Sequence, residues 1–269
     1  MSWFTHDLDP LLDQDACDVH DLERQAHVDD GVVVERRSVL WLSAAAVGAM
    51  LAGTGSLRAQ DPQKGNRRTE GLDYRQFLEQ LYPLSRRLVD SKGEDEQAYL
   101  MTVAAAMSRL RDPGAPLRKT MQAFRKEHAE DGERFPLHAV SIKLEPGRGF
   151  SHHDHLEYNG VIMGIEGEVR IRNYDFVDDV PALDSGETFR IRETRDATIL
   201  PGRFSTLGCK RENIHDLVAG KRGARVLDVF TFFTKRATSR FLNVEDEPRD
   251  PEARIYDAAW KPRRKREQR

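Results

Sequence analysis

A mainly β chain, an antiparallel barrel or sandwich preceded by a helical region, is predicted by three features of the sequence. From about Arg134 onward the residues fall into short runs in which apolar and polar positions alternate, the period of strands with one buried face. Upstream, Leu100, Val103, Met107 and Leu110 recur at helical spacing, and Leu117, Met121 and Phe124 continue the trend. Within the strand-rich part lies Gly147-Arg-Gly-Phe-Ser-His-His-Asp-His-Leu-Glu-Tyr-Asn-Gly160. There His153 and His155 stand two apart, on one face of an extended chain.

The 269 residues suffice for one ordinary domain with extensions. A formal net charge of −3 excludes a global pull towards nucleic acid or an anionic membrane. Two cysteines, Cys17 and Cys209, are too few for a disulfide framework. Residues 1–35 are polar and rich in Asp, with the composition of a disordered segment. Glu35-Arg-Arg-Ser-Val-Leu-Trp41 then precedes an uncharged run of Ala, Gly, Leu, Val and Met from Leu42 to Leu57. Arg36 and Arg37 ahead of a weakly apolar segment resemble a bacterial twin-arginine export signal, with cleavage expected after Ala59. The run is nearly long enough to span a bilayer, yet its Ala and Gly content suits export better than anchoring. The chain is therefore expected in the periplasm, with Cys17 removed and no lasting membrane association.

Residues 60–131 read as a polar linker and about three helices, broken at Pro83 and at Asp112-Pro-Gly-Ala-Pro116. The barrel is expected over 132–245. Val140, Ile142 and Leu144 alternate with polar residues, Thr188–Arg192 does the same, and Ala224–Phe233 is saturated with apolar residues. Val161–Arg172 reads as two strands joined at Glu166-Gly167. Residues 246–269, ending in Lys261-Pro-Arg-Arg-Lys-Arg-Glu-Gln-Arg269, read as a solvated charged tail.

Imidazole is a common ligand for Zn, Fe, Cu and Ni, and His215 is the single histidine beyond His155, so it is the natural third ligand. His152 and Asp154 point to the opposite face, Asp154 as a supporting or surface group. His138 lies at the mouth of its strand. Asp228 shares a row with Val226, Phe230 and Phe232. A carboxylate there needs a partner or a raised pKa, and the partner is either a substrate ammonium or a barrel arginine.

The spacing from Gly147 through His153-Asp-His155 and Gly160 to Gly167 resembles the first motif of the cupin superfamily, small barrels with a metal inside. Gly160 stands where most cupins carry a glutamate ligand. Together with Ile199-Leu-Pro-Gly202, Asn213-Ile-His215 and Leu227-Asp-Val229, the order resembles the thiol dioxygenases, specifically the cysteamine dioxygenase and plant cysteine oxidase family, over roughly 135–235. That resemblance implies Fe(II) held by His153, His155 and His215, with Asp228 facing the substrate amine, and O2 added to the sulfur of a small aminothiol or an N-terminal cysteine. Where members carry Pro-Pro-Tyr after the acidic strand, this chain has Phe230-Thr-Phe-Phe-Thr234. Nor is a Cys–Tyr crosslink expected, because Cys209 has no evident tyrosine partner and is read as a small buried hydrophobe. A monomer is expected. The alternative reading is a cupin that binds metal or a small ligand as a sensor or store, and a cupin isomerase or hydrolase with another metal lies between.

Overall fold

The computed structural model describes residues 71–130, 132–183 and 185–262. The expected leader, its twin arginines and the cleavage site lie outside them. Three helices come first: α1 (Tyr74–Asp90), α2 (Glu96–Met107) and α3 (Arg118–His128). α1 opens on a capping box, in which the Asp73 carboxylate accepts from the Gln76 amide while the Gln76 side chain accepts from the Asp73 amide. Pro83 does not break this helix as expected; it lies within α1 on an exposed position, so the bond it forfeits faces water. The break falls instead at Ser91-Lys-Gly-Glu-Asp95, where Lys92, Gly93 and Asp95 all take positive φ.

Eight strands follow: β1 (Leu137–Leu144), β2 (Gly149–Leu156), β3 (Tyr158–Phe176), β4 (Thr188–Ile199), β5 (Phe204–Leu207), β6 (Ile214–Phe232), β7 (Thr238–Val244) and β8 (Ile255–Trp260). Every strand pairing is antiparallel. The two 19-residue strands β3 and β6 run along each other from Tyr158↔Phe232 to Tyr174↔Ile214. One half of this ribbon is extended by β1 and β5. The other half is closed into a ring, β6–β2–β7–β8–β4–β3. This is an antiparallel β-barrel with a helical region before it.

Two boundaries differ from the sequence reading. Glu166-Gly167 does not join two strands. It lies between the register shifts that bend one continuous β3, with Gly167 at φ +69 and a Cβ there only 2.2 Å from the Gly223 carbonyl oxygen. And part of the expected tail is structural, because β8 zips β4 to β7 and completes the ring.

Three apolar layers result. Residues of α1–α3 pack on Leu137, Ala139, Val161, Met163, Leu227 and Val229, one face of the ribbon. The opposite face, with Ile142, Phe150, Ile162, Ile171, Leu217 and Val226, is the barrel interior. A third cluster, including Tyr174, Ile191, Ile214, Leu242 and Trp260, fills the ring formed with β4, β7 and β8. β2 is therefore covered on both sides.

Candidate metal centre

His153 and His155 come from β2, and His215 is the second residue of β6, paired directly with His153. All three are buried, at 3%, 1% and 2% exposure, and each offers a ring nitrogen within 4.8 Å of the others. The alternation of β2 thus does what the sequence spacing predicted, and the β2–β6 register brings in the third imidazole. Burial pushes all three pKa values down, His153 to about 4 and His155 and His215 well below the ordinary range. They are held as neutral imidazoles, the form that ligates metal.

Two details decide whether this cluster fits an ion. The Nδ1–H of His153 donates to the Ser151 carbonyl at 2.9 Å, which leaves Nε2 with a bare lone pair. That Nε2 lies 2.9 Å from Nε2 of His215. Two nitrogens each about 2.1 Å from one ion and at right angles to it would be separated by about 3.0 Å. Both ring nitrogens of His155 and Nδ1 of His215 lack any hydrogen-bond partner. Buried imidazole nitrogens are rarely left so, and an ion beside Nε2 of His153 and His215 would employ one of the two on His155. The residues fit a first-row divalent metal held by nitrogen alone.

Position 160 is tight for any side chain. A Cβ built on Gly160 would lie 3.2 Å from the Phe230 ring, so that aromatic occupies the space a longer side chain would need. Asp228 faces the interior as its row predicted, paired with Val140 and Ile162 and two residues before Phe230. It is 5% exposed, and its Oδ1 has no hydrogen-bond partner. Burial raises its pKa well above the ordinary carboxylate range, opposed only by the Val229 amide. Of the two partners the sequence left open, a substrate ammonium or a barrel arginine, no arginine is among the groups that shift it.

The face behind the ligands is polar and covered. Asp154 is not a surface group: it is fully buried and paired with Arg240, whose backbone and guanidinium both donate to it. The Arg240 guanidinium also lies 4.3 Å from the centre of the Trp260 ring, a contact supplied by β8. His152 points the same way, 3.2 Å from the Tyr174 hydroxyl and 3.3 Å from Asp216, which Arg172 grips through two nitrogens. His138 is turned inward, its ring parallel to that of Phe230 at 6.3 Å.

Sequence reasoning missed two residues near the ligands. Asn213 ties the loop before β6 to the backbone of His155, and its place in Asn213-Ile-His215 was the available signal. Tyr158 stacks on His155, ring centroids 4.1 Å apart and planes 15° from parallel. Cys209 is half-buried rather than a packed hydrophobe; its amide donates to Glu96 of α2, and the same carboxylate accepts from Asn159.

No family model matches the chain, and no curated protein matches it. Solved structures that align with it include the coconut allergen cocosin, 17% identical over 40% of this chain and 24% of that one, with a TM-score of 0.30. Recombinant pro-11S globulin of pumpkin is 14% identical over 47% and 26%, with a TM-score of 0.31. A recombinant oxalate oxidase in complex with glycolate is 18% identical over 39% and 46%, with a TM-score of 0.29. The chain spans less than half the length of each of these proteins.

Proposed function

We propose that the protein is an exported, Fe(II)-dependent thiol dioxygenase acting on a small aminothiol or an N-terminal cysteine. The observation that carries this reading is the donor set: three buried, neutral imidazoles converge, and no carboxylate stands among them. His153, His155 and His215 would hold the ion. When bound, Fe(II) would supply the redox chemistry by which a thiol sulfur takes up both atoms of O2 as a sulfinate. Ligands without charge leave the ion its full positive charge, the condition that favours a thiolate over a thiol.

The remaining residues suit the substrate. Phe230, Phe241 and Tyr158 line the ligands with apolar surface and keep water from the sulfur. Burial favours the protonated form of Asp228 while nothing charged faces it. A substrate ammonium beside it would favour the carboxylate, and such a charge-assisted bond is worth about 1.5–3 kcal/mol. That corresponds to roughly 10- to 100-fold in specificity.

Oxygen uptake by iron-loaded protein, with cysteamine, cysteine, 3-mercaptopropionate and a peptide bearing N-terminal cysteine, tests the proposal. Sulfinate formation with the ammonium-bearing thiols is expected, and Asp228→Asn should narrow their advantage at constant iron content. Iron binding without uptake on any thiol would replace this reading with that of a ligand-binding cupin. Full iron occupancy in all three single His→Ala variants would remove the metal assignment itself.

A further inference from the structure

We infer that Tyr158 is the positioning residue for His155, acting through a hydrogen bond to Ser239. The inference rests on the metal reading above and gives Tyr158 a role beyond the apolar lining named there, and Ser239 its first.

A metal-ligating imidazole is ordinarily oriented by a hydrogen bond from its second nitrogen. His153 has that bond, to the Ser151 carbonyl. His155 does not: neither ring nitrogen has a hydrogen-bond partner. Its ring can turn by 180° about the terminal torsion and exchange Nδ1 for Nε2 unless packing prevents it. The packing that does so is Tyr158. The two rings lie nearly parallel, with centroids 4.1 Å apart.

The phenol is itself fixed. Its hydroxyl is 2.5 Å from Ser239 Oγ, and its ring meets Phe230 edge-on at 5.6 Å and Phe232 at 5.5 Å. Ser239 is the residue of β7 paired with His155 across β2. The connection closes on itself: from the His155 backbone to Ser239, from Ser239 to the phenol, and from the phenol ring back to the imidazole. Glu157, at φ +59, turns the chain tightly enough for a residue only three positions on to lie over the ring. A ring stack alone permits sliding within the plane; the Ser239 bond removes that freedom.

Cobalt(II) titration of the metal-free full chain, followed by its visible d–d absorption, tests this together with the unfolding midpoint of the metal-free protein. Tyr158→Phe and Ser239→Ala each remove one end of the same bond. Each is expected to weaken cobalt affinity about 10-fold or more, the usual effect of losing an outer partner of a ligand. The double variant should be no weaker than either single one, and the metal-free midpoints should match. Tyr158→Leu, which loses the stack as well, should weaken affinity further and alter the d–d spectrum. Affinities within twofold of wild type, or losses that add in the double variant, overturn the inference. Failure of the wild type to bind cobalt overturns the metal reading, and this inference with it.

Discussion

Asn213 holds both sides of the His155 peptide: its carboxamide oxygen accepts the His155 amide at 3.2 Å, and its nitrogen donates to the His155 carbonyl at 3.0 Å. The same nitrogen also faces the carbonyls of Gly208 and Cys209, at 3.0 and 3.1 Å. One side chain therefore couples the strand of two ligands to the loop that delivers the third.

Asn213→Ala keeps the bond from the His155 amide to the residue-213 backbone carbonyl, but it should deprive the His155, Gly208 and Cys209 carbonyls of this donor, at about 1–3 kcal/mol each for those left buried without another. Asn213→Asp should be worse at neutral pH, because a carboxylate would replace the donor against three carbonyl oxygens. Urea unfolding of the two variants checks the order, and equal stabilities would refute it.

Asp228 sets a pH dependence with a definite sign. Burial raises its folded pKa above the ordinary 3.8, so folding favours the protonated form. Its contribution is fully present below the unfolded pKa and declines as pH rises towards the folded one, by about 1.4 kcal/mol per unit traversed. Metal-free Asp228→Asn should therefore match wild type near pH 4 and become progressively more stable than it towards neutrality. Unfolding free energies from pH 4.5 to 7.5 measure the gap, and a gap that does not widen counts against the assignment.

The Asp154–Arg240 pair is more exacting than a surface bridge, since the aspartate is fully buried and the arginine side chain only 18% exposed. Arg240→Met strands a buried carboxylate and should cost about 3–5 kcal/mol. Asp154→Asn combined with Arg240→Met should recover most of that loss. Chemical denaturation of the single and double variants decides it, and a double variant as unstable as Arg240→Met would show that packing on Trp260 matters more than charge.

Export is tested upstream of the fold. Replacement of Arg36 and Arg37 by lysine should trap the protein in the cytoplasm. An unchanged periplasmic fraction would show that the pair is not a transport signal. Among the described residues no helix is long and apolar enough to cross a membrane.

The legible parts of the fold were those set by local period. His153 and His155 could be paired because alternation in a strand is a local rule, and His215 because no other histidine follows. Asp228 was placed on its row by the same parity. What could not be read depends on distant partners. Ile255-Tyr-Asp-Ala-Ala-Trp260 has little β-branched character and charged neighbours, so it reads as tail until β4 and β7 are there to pair with it. Whether Asp154 supports the site or lies at the surface could not be read for the same reason, since the layer that covers it includes β8. Pro83 and Glu166-Gly167 were read as breaks because local breakers carry no information about which face is solvated or where a bulge is needed.

The bulge between Phe150 and His153 fixes which residues of β2 face the interior. Along His152-His153-Asp154-His155, one position is the whole difference between a nitrogen donor set and a mixed one. Deleting a single residue at Ser151 would turn His152 and Asp154 inward and send His153 and His155 towards Arg240. Two donor pairs of different chemistry thus alternate within four consecutive residues, and the length of the preceding segment sets which pair faces inward. Insertions and deletions there would act on ion preference, from the borderline metals that suit imidazole towards harder ones that accept a carboxylate, before they act on the barrel itself.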